Sequence, residues 1–427
     1  MITSLFSQKK VGIWGFGKTG QSFLSLITKY QPATVGIIFK ETPTLEQIEL
    51  AKHHGAKILD YELLPQFLEA YDIILPSQSI DRSPYTEFHH KFISELDLFS
   101  ELNKLPTIAI TGSVGKTTTV TFITELLKKF GKKALACGNI GFPLLDAVKL
   151  QDQYDIFVLE LSSQQLEQST LFAPDYAALT TLFENHLNHH KTMDAYARAK
   201  GNLFSFQRPE QHAVIPLCYY DMLWDSVKNQ HIQWVAPDHL LNIINPLSDI
   251  TALQNWQIIF TILDAMGFSL EQAAAYTRTL TRPEHRMEFI IEHRGVRFYN
   301  DSKSTVPQAT LQAIQQIPTH SPIILFLGGT SKGVDRQPLC QSLGSSIKHV
   351  ICFGKEAETL ATFCKNADLP ATACANLDEA WTLCTVMMQE NDTVLFSPSG
   401  ASYDLFKDYE YRGRAFVQKV KEYVGQQ

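Results

Sequence analysis

The chain has 427 residues, 44% hydrophobic and 19% charged, which is ordinary for a globular protein and long enough for two or three domains. Its formal net charge of −7 provides no basic field and argues against a nucleic-acid partner. The seven cysteines form no Cys-x-x-Cys pair, and we find neither a signal peptide nor a run of about 18 apolar residues. We therefore expect a cytoplasmic protein with reduced thiols and no membrane insertion.

Short apolar runs alternate with longer amphipathic stretches along most of the chain. Six runs in the first half read as buried strands: "VGIWGFG", "TVGIIF", "DIILPS", "TIAITGS", "DIFVLELSS" and "AALTTLF". Four more follow the helix predicted over Leu253–Leu280: "VRFYNDS", "PIILFLGG", "HVICFG" and "DTVLFSPS". This alternation predicts an α/β protein with parallel sheets. Breaks in the pattern near Asn103–Pro106 and Thr281–Pro283 predict three domains, over residues 1–103, 104–281 and 282–427.

The first strand leads into a glycine-rich turn. Gly15, Gly17 and Gly20 form a G-x-G-x-x-G pattern between that strand and the helical stretch "QSFLSLI". Such glycines permit a tight turn and let a phosphate approach a helix N-terminus. A dinucleotide site needs an acid about 20 residues on, at the end of the next strand, to hold the ribose. Lys40 followed by Glu41 stands there instead, so a phosphate- or uracil-bearing ligand fits at least as well as NAD.

A second phosphate loop lies in "AITGSVGKTTT", residues 109–119. It departs from G-x-x-x-x-G-K-[ST] because Ile110 occupies the first glycine position and the glycine stands at Gly112. The loop is still expected to bind phosphate. Its backbone N–H groups would surround the phosphates, Lys116 would neutralise them and the Thr117 hydroxyl would reach Mg²⁺. A strand precedes the loop and a helix follows it, so the segment predicts an ATP site.

Glutamate, histidine and lysine residues elsewhere in the chain are further candidates for functional roles. Glu160 ends the apolar strand "DIFVLE", where a Mg²⁺ ion beside a phosphate loop needs an oxygen ligand. His186 and His190 are four residues apart, but with no third ligand in register this spacing argues only weakly for zinc. Lys200 lies on a predicted helix, where a lysine usually extends to the surface.

Taken together, these segments resemble the Mur ligase family, the ATP-dependent amide ligases of peptidoglycan precursor synthesis, and most closely its D-glutamate-adding members. The resemblance covers essentially the whole chain in order. The segments that carry it are "TGSVGKTT" (Thr111–Thr118), "GNIGFPLL" (Gly138–Leu145), "ELSSQQLE" (Glu160–Glu167), "NHLNHHKTMDAYARAK" (Asn185–Lys200), "HRMEF" (His285–Phe289), "NDSKST" (Asn300–Thr305), "LGGTSKG" (Leu327–Gly333) and "SPSGASYDLFKDYEYRGRAF" (Ser397–Phe416).

The resemblance implies an N-terminal Rossmann-like domain for the UDP moiety, a central P-loop ATPase-like domain and a C-terminal Rossmann-like domain for the amino acid. It also implies that ATP phosphorylates the carboxylate of UDP-N-acetylmuramoyl-L-alanine, and that the amine of D-glutamate then displaces the phosphate. Such chemistry depends on positioning and charge neutralisation. A monomer is expected.

Residue roles follow from the matched motifs. The implied catalytic residues are Lys116, His186 and Lys200, with two Mg²⁺ ions held by Thr117, Glu160, His186 and a carbamate on Lys200. The implied ATP-binding residues are Gly112, Ser113, Val114, Gly115, Lys116, Thr117, Thr118, Asn255, Arg286 and Asp301. The UDP-substrate would contact Gly15, Phe16, Gly17, Lys18, Thr19, Gly20 and Asn139. D-glutamate would contact Lys303, Thr305, Lys332, Ser402 and Tyr409.

The sequence also departs from the family's pattern. Asn188 and His189 replace the Asp and Arg of N-H-L-D-R-H, and Ala252 replaces the first Asn of an H-N-x-x-N pair that keeps Asn255. These changes leave alternatives open. One is a sister ligase that adds another amino acid, and a second is a nucleotide-binding regulator without ligase activity. A third, an NAD-dependent oxidoreductase, lacks the ribose acid and leaves the phosphate loop unexplained.

Overall fold

The computed structural model describes residues 2–227, 232–235, 253–280, 282–318, 320–331 and 333–425. Within them the chain forms three sheets, each with helices in its crossover connections, which confirms the predicted three-part α/β fold. The first sheet is parallel and has the order β3-β2-β1-β4. Its strands are β1 (Lys10–Trp14), β2 (Thr34–Ile38), β3 (Lys57–Leu59) and β4 (Ile73–Pro76).

The second sheet has six parallel strands in the order β10-β9-β8-β5-β7-β6. Its strands are β5 (Thr107–Thr111), β6 (Ala134–Gly138), β7 (Ile156–Glu160), β8 (Tyr176–Leu179), β9 (His212–Pro216) and β10 (Ile232–Val235). Strand β5 is central, and every one of its residues is buried, as expected for a parallel strand covered by helices on both faces. The phosphate loop therefore begins at the middle of the sheet's carboxyl edge.

The third sheet has the order β11-β12-β16-β13-β14-β15, and only its edge pair β11–β12 is antiparallel. Its strands are β11 (Glu288–His293), β12 (Val296–Asn300), β13 (Ile323–Gly328), β14 (Ile347–Phe353), β15 (Ala371–Cys374) and β16 (Thr393–Phe396). The three sheets occupy residues 10–76, 107–235 and 288–396. The domain boundaries at 103/104 and 281/282 stay predictions.

The described α-helices fill the connections between strands. They are Ile2–Phe6, Lys18–Ile27, Leu45–His53, Leu64–Ala70, Glu95–Leu102, Lys116–Lys129, Leu144–Val148, Ser163–Glu167, Leu187–His190, Met193–Ser205, Tyr220–Val227, Leu253–Ala265, Leu270–Thr277, Pro307–Gln315, Gln337–Ser342, Ala357–Lys365, Leu377–Met387 and Tyr409–Gly425. Within the described residues no helix combines the length and apolarity that crossing a membrane requires. All seven cysteines are free thiols, in agreement with the sequence prediction.

The single helix predicted over Leu253–Leu280 is wrong in one respect, because two helices occupy this segment. The first, Leu253–Ala265, ends before Gly267, whose φ of +79° lies in the left-handed region that favours glycine. The second, Leu270–Thr277, begins after Ser269, whose side chain accepts a hydrogen bond from the Gln272 backbone. The apolar periodicity continues through both helices and hides the break between them.

Apolar packing divides the chain unevenly. One continuous hydrophobic cluster runs from Phe6 and Phe23, through Phe99, to Phe157 and Leu203, so it spans the first sheet and one face of the second. The two clusters of the third sheet contain buried residues from 287–420 only. The first two sheets therefore share a core, whereas the third has its own.

Phe396 tests the core of the third sheet. Its ring is fully buried and stacks on Phe416 with 4.3 Å between centroids. We expect Phe396→Ala to lower the free energy of unfolding by about 3–5 kcal/mol, because it removes apolar burial and leaves a cavity. Val386→Ala, at an 83% exposed position, is the matched control and should change it by no more than about 0.5 kcal/mol. Equal midpoints for the two variants in urea denaturation would contradict this packing.

Candidate active site

A cleft with a cavity volume of about 390 Å³ lies where residues of all three sheets converge. The residues before the second sheet contribute Gln78 and Ser79 to its lining. The second sheet and its connections contribute Ser113, Val114, Gly115, Lys116, Thr118, Asn139, Glu160, His186 and Asn255, and the third contributes Arg286, Asp301, Lys303 and Thr305. Some residues predicted for ATP, for metal ions and for the amino acid thus line one cleft, whereas Gly112, Thr117 and Lys200 are not part of its lining.

The phosphate loop is held in a conformation that requires its glycines. Gly112 and Gly115 have φ values of +147° and +93°. A Cβ at Gly112 would stand 1.9 Å from the Thr180 hydroxyl, and one at Gly115 would stand 2.6 Å from Oδ1 of Asn255. The backbone amides of Ser113 and Val114 donate to Thr181, which braces the loop from the neighbouring strand end. Glycine is therefore required at positions 112 and 115 for steric and conformational reasons.

Lys116 opens the helix after the loop and bends back over it. Its Nζ donates to the carbonyl oxygen of Gly112 at 2.6 Å and to that of Ser113 at 3.3 Å. Burial lowers the pKa of Lys116 from its usual value, Glu160 opposes this shift, and Arg286 adds to it. The side chain is thus fixed at the mouth of the loop, where an anionic group of a ligand would meet it.

Oxygen donors meet beside the lysine. The Thr117 hydroxyl donates to Oε2 of Glu160 at 2.5 Å, and the Asn139 amide donates to Oε1 at 2.9 Å. Arg286, from the segment before the third sheet, donates to the same threonine hydroxyl. Glu160 is 2% exposed, so its carboxylate is oriented by fixed partners rather than by solvent. A carboxylate and a hydroxyl that lie together are oxygen ligands that suit Mg²⁺.

Lys200 is not the surface lysine that its helix position alone suggests. It is 1% exposed, and its Nζ donates to the Gly112 carbonyl at 2.9 Å and to the Thr111 hydroxyl at 3.3 Å. The Tyr196 ring lies 4.7 Å from Nζ. Burial lowers the pKa of Lys200 well below its usual range, and Lys116 lowers it further while Glu160 opposes the shift. This environment favours a neutral, nucleophilic amine behind the phosphate loop.

His186 enters the lining through an unusual backbone conformation. It precedes the short helix Leu187–His190 with φ +56°, a left-handed value that few residues other than glycine adopt. Such strain is concentrated at functional positions, because the surrounding structure must over-determine it.

The third sheet contributes an acidic residue, Asp301, and a basic residue, Lys303, to the cleft lining. Burial raises the pKa of Asp301 to about 7, although Ser397 and the Met287 amide donate hydrogen bonds to its carboxyl group. Lys303 places its Nζ 3.5 Å from the centroid of the Tyr409 ring. Lys303 and Thr305 line the cleft, whereas Tyr409 contacts Lys303 but is not part of the lining.

Some predicted residues lie apart from this cleft. Among the described residues, its lining does not include the turn from Gly15 to Gly20. A Cβ at Gly20 would stand 2.1 Å from the Gly15 carbonyl, whereas a Cβ at Gly17 would meet nothing within 4 Å, so the turn is open on one side. The Phe16 side chain is buried in the core and packs on Phe39, so only its backbone faces the turn.

Ser402 is also absent from the lining; it is buried, and its backbone carbonyl oxygen accepts hydrogen bonds from the backbone amides of Leu405 and Phe406. Lys332 and Ala252 lie outside the described residues.

Lining residues that were not predicted from the sequence include Gln78 and Ser79, which lie just after β4 and Ser77, and Arg282. Gln78 accepts a hydrogen bond from Ser162 at 3.4 Å and, through its backbone, one from Gln168 at 3.3 Å. Polar residues at the carboxyl end of a parallel strand are the usual signal for a ligand site, and "LPSQS" carries that signal.

Comparison with known proteins gives matches over nearly the whole chain. Residues 110–237 match the family model of the Mur ligase middle domain, and residues 285–400 match that of the Mur ligase, glutamate ligase domain. A UDP-N-acetylmuramoylalanine–D-glutamate ligase from Thermoanaerobacter sp. (strain X514) is 30% identical over 97% of this chain and 98% of its own length. The equivalent ligase of Caldicellulosiruptor saccharolyticus is 31% identical over 97% and 99%.

Solved structures support the fold. The structure of a MurF ligase from Thermotoga maritima in complex with ADP superposes with a TM-score of 0.58 at 15% identity, covering 98% of this chain and 97% of that one. At that identity the likeness concerns the arrangement of the three sheets.

Proposed function

The chain belongs to the Mur ligase family, whose members are ATP-dependent ligases of peptidoglycan precursor synthesis, and we propose that it joins D-glutamate to UDP-N-acetylmuramoyl-L-alanine. The observation that carries this proposal is the convergence of Lys116, the Thr117–Glu160 pair and the buried Lys200 around one phosphate loop. The names of the two relatives support the choice of substrates.

The proposed reaction has two steps, a phosphoryl transfer and an amide-bond formation. First, a carboxylate oxygen of the acceptor attacks the γ-phosphorus of ATP, the bond to the bridging oxygen breaks, and ADP leaves. The amine of D-glutamate then attacks the acyl-phosphate carbonyl, loses a proton and expels inorganic phosphate. Phosphoryl transfer of this kind needs positioned positive charge rather than a protein nucleophile. Lys116 meets that need at the loop, and Arg286 meets it from the opposite wall.

Two Mg²⁺ ions complete the proposal. Thr117 and Glu160 would hold the first, and His186 with a carbamate on Lys200 would hold the second. Bound Mg²⁺ would neutralise phosphate charge during transfer. The carbamate forms when the neutral Lys200 amine attacks the carbon of CO₂, making an N–C bond and releasing one proton. Because burial favours the neutral amine, Lys200 suits this reaction better than a solvated lysine would.

The remaining residues are assigned from the family motifs that the sequence matches. The open turn Gly15–Gly20 would receive the UDP group, and Asn139 would face the acceptor from beside Glu160. Asn255 and Asp301 would contact ATP. Lys303 and Thr305 would bind the D-glutamate carboxylates, with Lys332, Ser402 and Tyr409 grouped around them. We further propose that the protein acts as a monomer in the cytoplasm.

Phosphate release tests the substrate choice. With ATP, Mg²⁺ and UDP-N-acetylmuramoyl-L-alanine, we expect D-glutamate to support release at least about 10²-fold faster than L-glutamate or a diamino acid, because a site built for its polar groups rejects other geometries. Faster release with another amino acid would identify a sister ligase. No release with any amino acid would indicate a nucleotide-binding regulator, and either result would contradict the proposal.

A further inference from the structure

We propose that Glu167, His189 and His190 form a binding site for a divalent metal ion of the Zn²⁺ class, separate from the catalytic cleft. Glu167 ends the helix Ser163–Glu167, and the two histidines end the short helix Leu187–His190. None of the three is part of the cleft lining. Among the described residues this is the one group of three or more His, Cys, Asp or Glu side chains close enough to share an ion.

The spacing of the donor atoms suits one small ion. One ligand atom from each residue lies within 4.8 Å of the others. Nε2 of His189 is 2.9 Å from Oε2 of Glu167, and Nδ1 of His190 is 3.8 Å from Oε1. Donors about 2.1 Å from a tetrahedral Zn²⁺ stand roughly 3.4 Å from each other. Small side-chain rotations therefore bring all three within bonding distance.

His190 supplies an independent reason to expect a ligand. Its side chain is fully buried, and across the described part of the chain its Nδ1 has no hydrogen-bond partner. Its Nε2 lies 2.8 Å from the Ser163 hydroxyl. When the Nε2–H donates to Ser163, the lone pair of Nδ1 points toward the Glu167 carboxylate. Metal-binding histidines are oriented in this way by a hydrogen bond on their other nitrogen.

The donor types select the class of ion. Two imidazole nitrogens and one carboxylate suit Zn²⁺ and similar borderline ions, whereas Mg²⁺ prefers oxygen donors only. The side chains of His189 and Glu167 are 25% and 46% exposed, so an ion has a path from solvent and can keep a water as fourth ligand. His189 stands where the family motif has arginine, a side chain that cannot bind a metal ion.

The ion would join two segments that both lead to the active site. The helix Ser163–Glu167 follows Glu160 on β7, and the helix Leu187–His190 follows His186. A bound ion would cross-link these segments behind the cleft and stabilise the folded chain, by an amount that grows with the logarithm of the ratio of ion concentration to dissociation constant once the site is nearly saturated.

Calorimetric titration of the full chain with Zn²⁺, in a large excess of Mg²⁺, tests the site. We expect one high-affinity Zn²⁺ per chain. His189→Arg keeps a positive charge beside Glu167 but cannot bind the metal, and we expect it to weaken this event at least about 10-fold, since even loss of a residue that only orients a ligand costs 10- to 100-fold. Ser163→Ala removes such an orienting contact and should cost about 10-fold by the same rule.

The matched control is His89→Ala, which alters another adjacent histidine pair, His89–His90, that lacks a grouped carboxylate. It should leave Zn²⁺ affinity unchanged. Thermal unfolding without zinc shows whether each variant is folded. Undiminished Zn²⁺ affinity in folded His189→Arg, or no stoichiometric Zn²⁺ binding by the unmodified chain, would overturn the proposal.

Discussion

Replacing Lys116 by alanine is expected to lower the rate of phosphate release by at least about 10³-fold, the scale seen when a charge that stabilises phosphoryl transfer is removed. The Nζ of Lys116 lies 2.6 Å from the Gly112 carbonyl, at the mouth of the loop, so its position is fixed before ATP arrives. Measuring single-turnover phosphate release at saturating ATP separates lost chemistry from weakened binding.

Lys128→Ala is the control, because Lys128 lies on the same helix, Lys116–Lys129, and forms an exposed ion pair with Glu125. Its rate should equal that of the unmodified protein, since exposed pairs contribute little. If Lys116→Ala retained more than about a tenth of the original rate, lysine could not be the group that neutralises the transferred phosphate.

Replacing Lys200 by alanine is expected to lower the rate by at least about 10²-fold, the effect of removing one preorganised electrostatic contact. Added formate or acetate should restore part of the rate, because a short carboxylate can occupy the space of the missing carbamate and supply its oxygen ligands. The measurement is phosphate release against carboxylate concentration.

Lys200→Met separates this explanation from a packing defect. Methionine fills the buried position without a charge, so this variant should fold, remain slow and show no rescue by carboxylate. Arg198→Ala, at an exposed position on the same helix, Met193–Ser205, should retain the full rate. Full activity of folded Lys200→Ala or Lys200→Met would show that the carbamate assignment is wrong.

Several of the strands that the sequence predicted are continuously buried. β5, β7, β13 and β16 are buried along their whole length, and each contains a run of at least three apolar residues. The strands that it missed include β3 and β15, which lie at sheet edges and are only partly buried. At an edge the pairing is decided by neighbours distant in the chain, and the local pattern is too weak to show it.

The active-site residues that could be predicted are those whose position in a strand–loop–helix motif indicates their chemistry. Lys116, Thr117 and Glu160 were recognised from the order of strand, loop and helix, and the structure brings them together. Lys200 could be recognised only through the family resemblance, because its burial arises from packing behind the loop. The contact between Glu167 and His189 joins residues 22 positions apart and has no local sequence signal.

The unequal division of the hydrophobic cores has a mechanical consequence. Since the first two sheets share one apolar cluster, separating them would expose that cluster to water and carry a large hydrophobic penalty. The apolar clusters of the third sheet contain only its own residues, so a displacement of that sheet as a rigid body would not expose them to water. The chain thus contains two separately packed units, one with Lys116 and Glu160 and the other with Lys303. A change in the separation of the two units would therefore alter how Arg286 and Lys303 face Lys116 and Glu160, without exposing an apolar cluster.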